Sequence, residues 1–284
     1  MFRNYFRQSA LTFESTAFQF KYPFSVIRNR HIILDFSLVS FIDPFGMLFL
    51  KYLLETLTLQ NKVEIILKSR DVINYLVRMS FPAHFTGNQN LIFKPDLNQI
   101  SLRTRDLSDQ LIELISYPAE NDDDVDHITE QIVEIVANRL PFYDDIEDSF
   151  QTAISEIISN TQVHSQRNQA TVCLQTYGNS IIMALGDDGI GIRAGLRAHG
   201  EGLLDEEAIE KALEPLVSGR PGGGGMGLTE LSEKIRMKND CLGIRSGSGY
   251  ILIENGVLRK GKCAGLPGTQ IMIKLHKYQA ANSM

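Results

Sequence analysis

Cysteine is scarce in this chain: Cys173, Cys241 and Cys263 are odd in number and far apart, with no CxxC spacing. That excludes a disulfide framework and gives a zinc site no support, so the thiols read as buried or idle in a reducing compartment. Long apolar runs are also missing. No stretch approaches the ~18 residues needed to span a bilayer. The opening Met1-Phe2-Arg3-Asn4-Tyr5-Phe6-Arg7 scatters charge where a secretory signal would be apolar. A cytoplasmic protein without a membrane segment is expected. Nor is there a basic excess, since 34 acidic side chains outnumber 28 basic ones for a formal charge of −6. Nothing in that field draws a polyanion, and nucleic acid is not expected as a partner. No internal repeat is visible.

What is present is the composition of a folded protein, 43% apolar and 22% charged over 284 residues, a length that suits two domains. From Phe24 to Met79, strand-like and helix-like patterns alternate. His31 to Phe36 and Lys62 to Leu67 read as strands. Phe45 to Leu57 and Asp71 to Met79 read as helices, the second capped by Ser69. This β-α-β-α order predicts a small layered α/β domain with parallel pairing over 1–100. A linker is expected over 101–122, holding one helix around Asp106 to Ile115 and the acidic run Asn121-Asp122-Asp123-Asp124, which suits a solvated linker.

Beyond it, Val125, Ile128, Ile132, Val133, Val136 and Leu140 recur at helical spacing, and a second amphipathic helix is predicted from Asp144 to His164. Thr171 to Thr176 and Ile181 to Leu185 flank Tyr177-Gly178-Asn179-Ser180, which is hairpin chemistry. Further strands are predicted at Leu242 to Arg245, Tyr250 to Glu254 and Thr269 to Leu275. The second domain, 123–278, therefore reads as helices layered on a mostly antiparallel sheet.

Four segments of that domain carry chemistry. Glu156 and Asn160, four apart on the second helix, share one surface at the rim of its apolar stripe. Such a pair also fits a plain solvated helix face. The strand Ile181 to Leu185 runs into Gly186-Asp187-Asp188-Gly189-Ile190-Gly191. A carboxylate fixed there can accept a hydrogen bond from an exocyclic amine while glycines admit a flat ring, though Asp and Gly also make ordinary turns. Gly222 to Gly227 leads directly into a helical pattern from Thr229 to Met237. Backbone amides at such an N-terminus can cradle phosphate, although a glycine run also serves as a plain flexible loop. Gly268-Thr269 opens the last strand.

Taken in order, Glu156-x-x-x-Asn160, Asp187-x-Gly189-x-Gly191, Gly223-x-Gly225-x-Gly227-Leu228 and Gly268-Thr269 resemble the N, G1, G2 and G3 boxes of the GHKL ATPases, which share the Bergerat fold. The resemblance spans about 123–278. It implies a two-layer α/β sandwich that binds Mg-ATP. Asn160 would hold the magnesium, Glu156 would act as base, and Asp187 would read the adenine amino group. Gly189 and Gly191 would border the base. Gly223, Gly225, Met226, Gly227 and Leu228 would wrap the phosphates, and Thr269 would close the adenine side. Residues 193–221 would be the ATP lid, with Arg220 a candidate for the γ-phosphate.

Within that superfamily no histidine here is followed by Glu or Asp, unlike the acceptor of a histidine kinase, and only six residues follow Tyr278, too few for a gyrase-type transducer. The closer likeness is to the bacterial anti-sigma-factor serine kinases, which carry a histidine where His164 stands; here His164 reads as packed on the apolar face. The first half resembles a STAS domain in Ile33-Leu34-Asp35-Phe36 and in Phe41-Ile42-Asp43-Pro44-Phe45-Gly46 opening a helix. In that family the residue before this glycine is a phosphorylated serine, whereas here it is Phe45, which has no hydroxyl. The resemblances together imply an ATPase or serine/threonine-type protein kinase of bacterial regulatory signalling. They leave open a nucleotide-gated interaction module without turnover. A regulatory protein partner and homodimerisation follow from family behaviour.

Overall fold

A computed structural model describes residues 2–19, 27–102, 109–118, 122–140, 154, 169–215, 227–238 and 240–277. Among the described residues the chain is mixed α/β, with a four-stranded parallel sheet, a five-stranded antiparallel sheet and a two-stranded parallel pair. In the first, β1 (Phe2–Tyr5), β3 (His31–Phe36), β5 (Lys62–Leu67) and β6 (Leu91–Lys94) lie parallel in that order, Ile32 pairing with Phe2 on one side and Val63 on the other. β2 (Ala10–Leu11) and β4 (Phe41–Ile42) make a separate parallel pair. Around them run α1 (Phe13–Gln19), α2 (Pro44–Thr58) and α3 (Arg70–Arg78). Both longer helices start on side-chain caps, Asp43 accepting from the Gly46 N–H at 2.7 Å and Ser69 from that of Val72.

The second sheet is antiparallel, in the order β10 (Cys241–Glu254), β11 (Val257–His276), β9 (Ser180–Asp187), β8 (Gln169–Tyr177) and β7 (Leu111–Pro118). Because side chains alternate across a strand, its two faces have different covers. Leu174, Met183, Ile244 and Ile273 pack with α4 (Asp122–Arg139), α6 (Asp205–Ala212) and α7 (Gly227–Lys238). A short α5 (Gly191–Gly195) follows β9. The opposite face, with Cys173, Ala184, Leu252 and Met272, belongs to the core of the first half.

Helix α2 makes that second contact. It is buried along nearly its whole length, Phe45 to Leu54 all being inaccessible, because it sits between the two sheets, touching β5 on one and β8, β9 and β11 on the other. Its one buried cation, Lys51, is paired with Glu55 at 2.9 Å and lies over the Tyr52 ring. From β10, the fully buried Arg245 stacks its guanidinium on Phe49 at 4.6 Å and donates to the Ala264 carbonyl.

Several expectations need correction. Instead of a helix around Asp106 to Ile115, the described part of the expected linker holds β7, whose bulge between Ile112 and Ile115 breaks strict alternation. β7 also touches the first half: Leu114 N–H donates to the Met79 carbonyl, and Ser80 bonds Glu113. The strands expected at 242–245 and 250–254 form one, β10, and β11 begins at Val257, not at Thr269. β1 was not expected. Of the helix predicted from Asp144 to His164, only Ile154 lies within the described residues, helical and buried. Among the described residues no helix is long and apolar enough to cross a membrane.

Candidate functional site

Strand β9 ends at Asp187, whose neighbour Gly186 pairs with Gln270, so that Thr269 lies alongside Asp187; Thr269 in turn pairs with Ser246 on β10. Alternation from Leu185, Ile271 and Ile244 puts all three polar side chains on the face that carries α4, α6 and α7. Three adjacent strands thus present a carboxylate and two hydroxyls at one end of one face.

Two glycine turns close around them. Asp187 Oδ1 accepts from the Gly189 N–H at 2.7 Å, which folds the chain back toward α5. Gly191 has φ +79°, and a Cβ there would lie 2.8 Å from Ser246 Oγ. Gly268 has φ +74°, and a Cβ there would lie 2.0 Å from the Asp187 carbonyl. Each glycine is needed both for its left-handed backbone and for the close approach. Ser246, almost wholly buried, bridges the turns: its Oγ accepts from Ile192 N–H at 2.8 Å and lies 3.2 Å from both Gly268 O and Thr269 Oγ1.

Desolvation pushes the Asp187 carboxyl up from the usual range to about 6, and the nearby Asp188 adds to the rise. Opposing them, the N–H groups of Gly189 and Thr269 favour the charged form. At neutral pH Asp187 is therefore an ionised, partly dehydrated acceptor held between two tightly packed glycine turns.

A scan against models of known protein families and a search of curated proteins found no match.

Of the sequence-predicted site residues, Asp187, Gly189, Gly191 and Thr269 come together. Gly227 and Leu228 open α7 on the same face, where Leu228 and Ile192 border one core. Glu156, Asn160, Gly223, Gly225, Met226, His164 and Arg220 lie outside the described residues. The expected lid is described as far as 215, and α6 within it is docked on β10. Asp205 Oδ2 accepts from both the N–H and the hydroxyl of Ser248, at 2.8 and 2.7 Å, and its Oδ1 pairs with Arg193 at 3.2 Å.

Ser246 and Ser248 were not singled out by sequence reasoning, because Ser246-Gly247-Ser248-Gly249 falls between the two strands expected there, and Asp205 was read only as part of the expected lid. That serine-glycine segment is a bulge inside β10, with register shifts on both sides of Gly247. On the opposite face, a Cβ on Gly186 would meet Tyr52 Cε2 at 3.0 Å and Leu48 Cδ2 at 3.1 Å. Helix α2 therefore presses on β9 one residue away from Asp187.

Proposed function

We propose that the chain is a cytoplasmic Mg-ATP-binding protein of the GHKL type, with a Bergerat-fold ATPase half and a STAS-like half, acting as an ATPase or protein kinase of bacterial regulation on a separate protein. What supports this reading most is the alignment of Asp187, Thr269 and the glycine turns at 189–191 and 268 on one sheet end. Its donor and acceptor chemistry suits adenine: the Asp187 carboxylate accepts from the exocyclic amine, and a Cβ at Gly191 or Gly268 would fill the space that admits the turns. Thr269 closes the same side. Gly223, Gly225, Met226, Gly227 and Leu228 are the proposed phosphate cradle at the start of α7, Asn160 the proposed magnesium ligand, and Glu156 the proposed base. Bound Mg-ATP would supply the phosphoryl group. The contribution of the chain itself is placement and fixed charge, as phosphoryl transfer requires.

A second reading, a nucleotide-gated interaction module without turnover, is favoured by one observation. Phe45 is fully buried against Phe13, and α2 occupies the sheet face opposite to Asp187, so the STAS-like half is not presented to the site as a substrate. Calorimetric titration of the full chain with ATP and magnesium, beside an ADP assay on wild type and Glu156→Ala, separates the two. Binding with turnover that vanishes in Glu156→Ala is the expected result. Binding without turnover supports the module, and no binding removes the ATP assignment.

A further inference from the structure

We infer that Ser246 is a positioning residue that sets which purine the site accepts, by fixing the direction of the Thr269 hydroxyl; this rests on the nucleotide-site reading above. A serine hydroxyl has one proton to give and two lone pairs to receive. The Ile192 N–H fills one lone pair at 2.8 Å. The Gly268 carbonyl has no proton, so the Ser246 proton goes to it, at 3.2 Å. With the Ser246 proton on the Gly268 carbonyl, a lone pair is left toward Thr269 Oγ1, also at 3.2 Å, and in the arrangement we infer Thr269 is the donor in that contact.

This has a chemical consequence for a ligand at the sheet end. With its proton committed to Ser246, Thr269 offers only lone pairs to a ligand. Asp187, ionised at neutral pH, also offers only lone pairs. Two acceptors facing the 6-substituent fit a purine whose exocyclic 6-amino group donates two protons, and oppose one whose 6-oxo group only accepts. Ser246 touches no ligand in this arrangement and acts through Thr269. The conformation of both turns supports the assignment, since Gly191 and Gly268 each bring backbone against Ser246 or Asp187 at distances no Cβ would tolerate.

The test is titration of the full chain with ATP and with inosine triphosphate, both with magnesium, in wild type, Ser246→Ala, Ser246→Thr, Thr269→Val and the Ser246→Ala/Thr269→Val pair. In Ser246→Ala the Thr269 proton is free to turn toward a 6-oxo group, so the preference for ATP is expected to fall about tenfold, the scale of one polar mismatch. Ser246→Thr keeps the hydroxyl and is expected to restore the preference. Adding Ser246→Ala to Thr269→Val is expected to change nothing more, because the hydroxyl that Ser246 directs is already gone. An unchanged preference in Ser246→Ala, with wild type still choosing ATP, overturns the inference and leaves the nucleotide site standing. Should Ser246→Ala fail to fold, Thr269→Val alone must lower the preference, and an unchanged ratio there also overturns it. A wild type that binds neither nucleotide removes the underlying reading, a distinct outcome.

Discussion

At the scale of single residues, Asp187 carries the sharpest consequence. Its carboxyl titrates at about 6 instead of near 3.8, so an ordinary shift in buffer changes its charge. On the proposed reading, in which Asp187 accepts from the adenine amine, the ionised form is needed, and nucleotide affinity is expected to weaken as pH falls through about 6, approaching tenfold per pH unit below it. Asp187→Asn should bind more weakly at neutral pH and lack that component of the pH dependence. Parallel titrations of the two proteins between pH 5 and 8 check this, and identical profiles would remove Asp187 from base recognition. Asp187 was legible in the sequence because a carboxylate between glycines at a strand end is a local pattern. Ser246 was not, because its three partners come from Ile192, Gly268 and Thr269, and no local spacing encodes them.

At the scale of elements, α2 repays attention through its cap. Asp43 starts the helix by accepting from the Gly46 N–H, yet it is fully buried, and desolvation pushes its carboxyl up to about 7. The nearby Glu14 raises it further, while the Gly46 N–H and Lys274 oppose the rise. The unfolded chain releases that proton near 3.8, so between about 4 and about 7 the folded state binds more protons than the unfolded one. Stability from this group is therefore fully present at low pH and is lost as pH rises through that window. Relative to Asp43→Asn, wild type should lose up to about 1.4 kcal/mol per pH unit across it, read from urea midpoints at several pH values. A constant difference between the two proteins would refute the assignment.

Elements also show why some were readable. Helices α2, α3 and α4 announce themselves by apolar spacing, and α3 also by its cap Ser69, whereas the cap Asp43 emerges only in the structure. β7 does not, because Leu111 and Leu114 pack in one core and Ile112 in the other, across a bulge, so that buried positions 111, 112 and 114 mimic a helical stripe. The first six residues of β11, 257–262, are all exposed or half-buried and carry Arg259, Lys260 and Lys262, so they lack a buried face to pattern them. Its turn was nevertheless written out: Asn255 and Gly256, with φ of 51° and 72°, form the tight hairpin that an Asn-Gly pair favours.

At the scale of the whole molecule, the two halves expected from the sequence share one buried core. Phe36, Leu53 and Phe81 belong to the same buried cluster as Cys173, Leu252 and Met272. That sharing was hidden in the sequence because a sheet covered on both faces looks the same whether its second cover is near or far along the chain. A continuous core couples the halves, so full-length protein is expected to unfold in a single calorimetric transition. A chain lacking 1–100 should expose the sheet face around Ala184 and Met272, and should bind a hydrophobic dye or aggregate. Two well-separated transitions in the full chain would contradict the shared core.

The contact of Tyr52 and Leu48 with Gly186 has an optical use. The chain contains no tryptophan, so Tyr52→Trp would be its sole indole, set on the far side of the strand that ends in Asp187. Excited selectively, it would report from the first half on events at the opposite face. A ligand that strains β9 would shift its emission, and one received by a rigid sheet would leave the spectrum still.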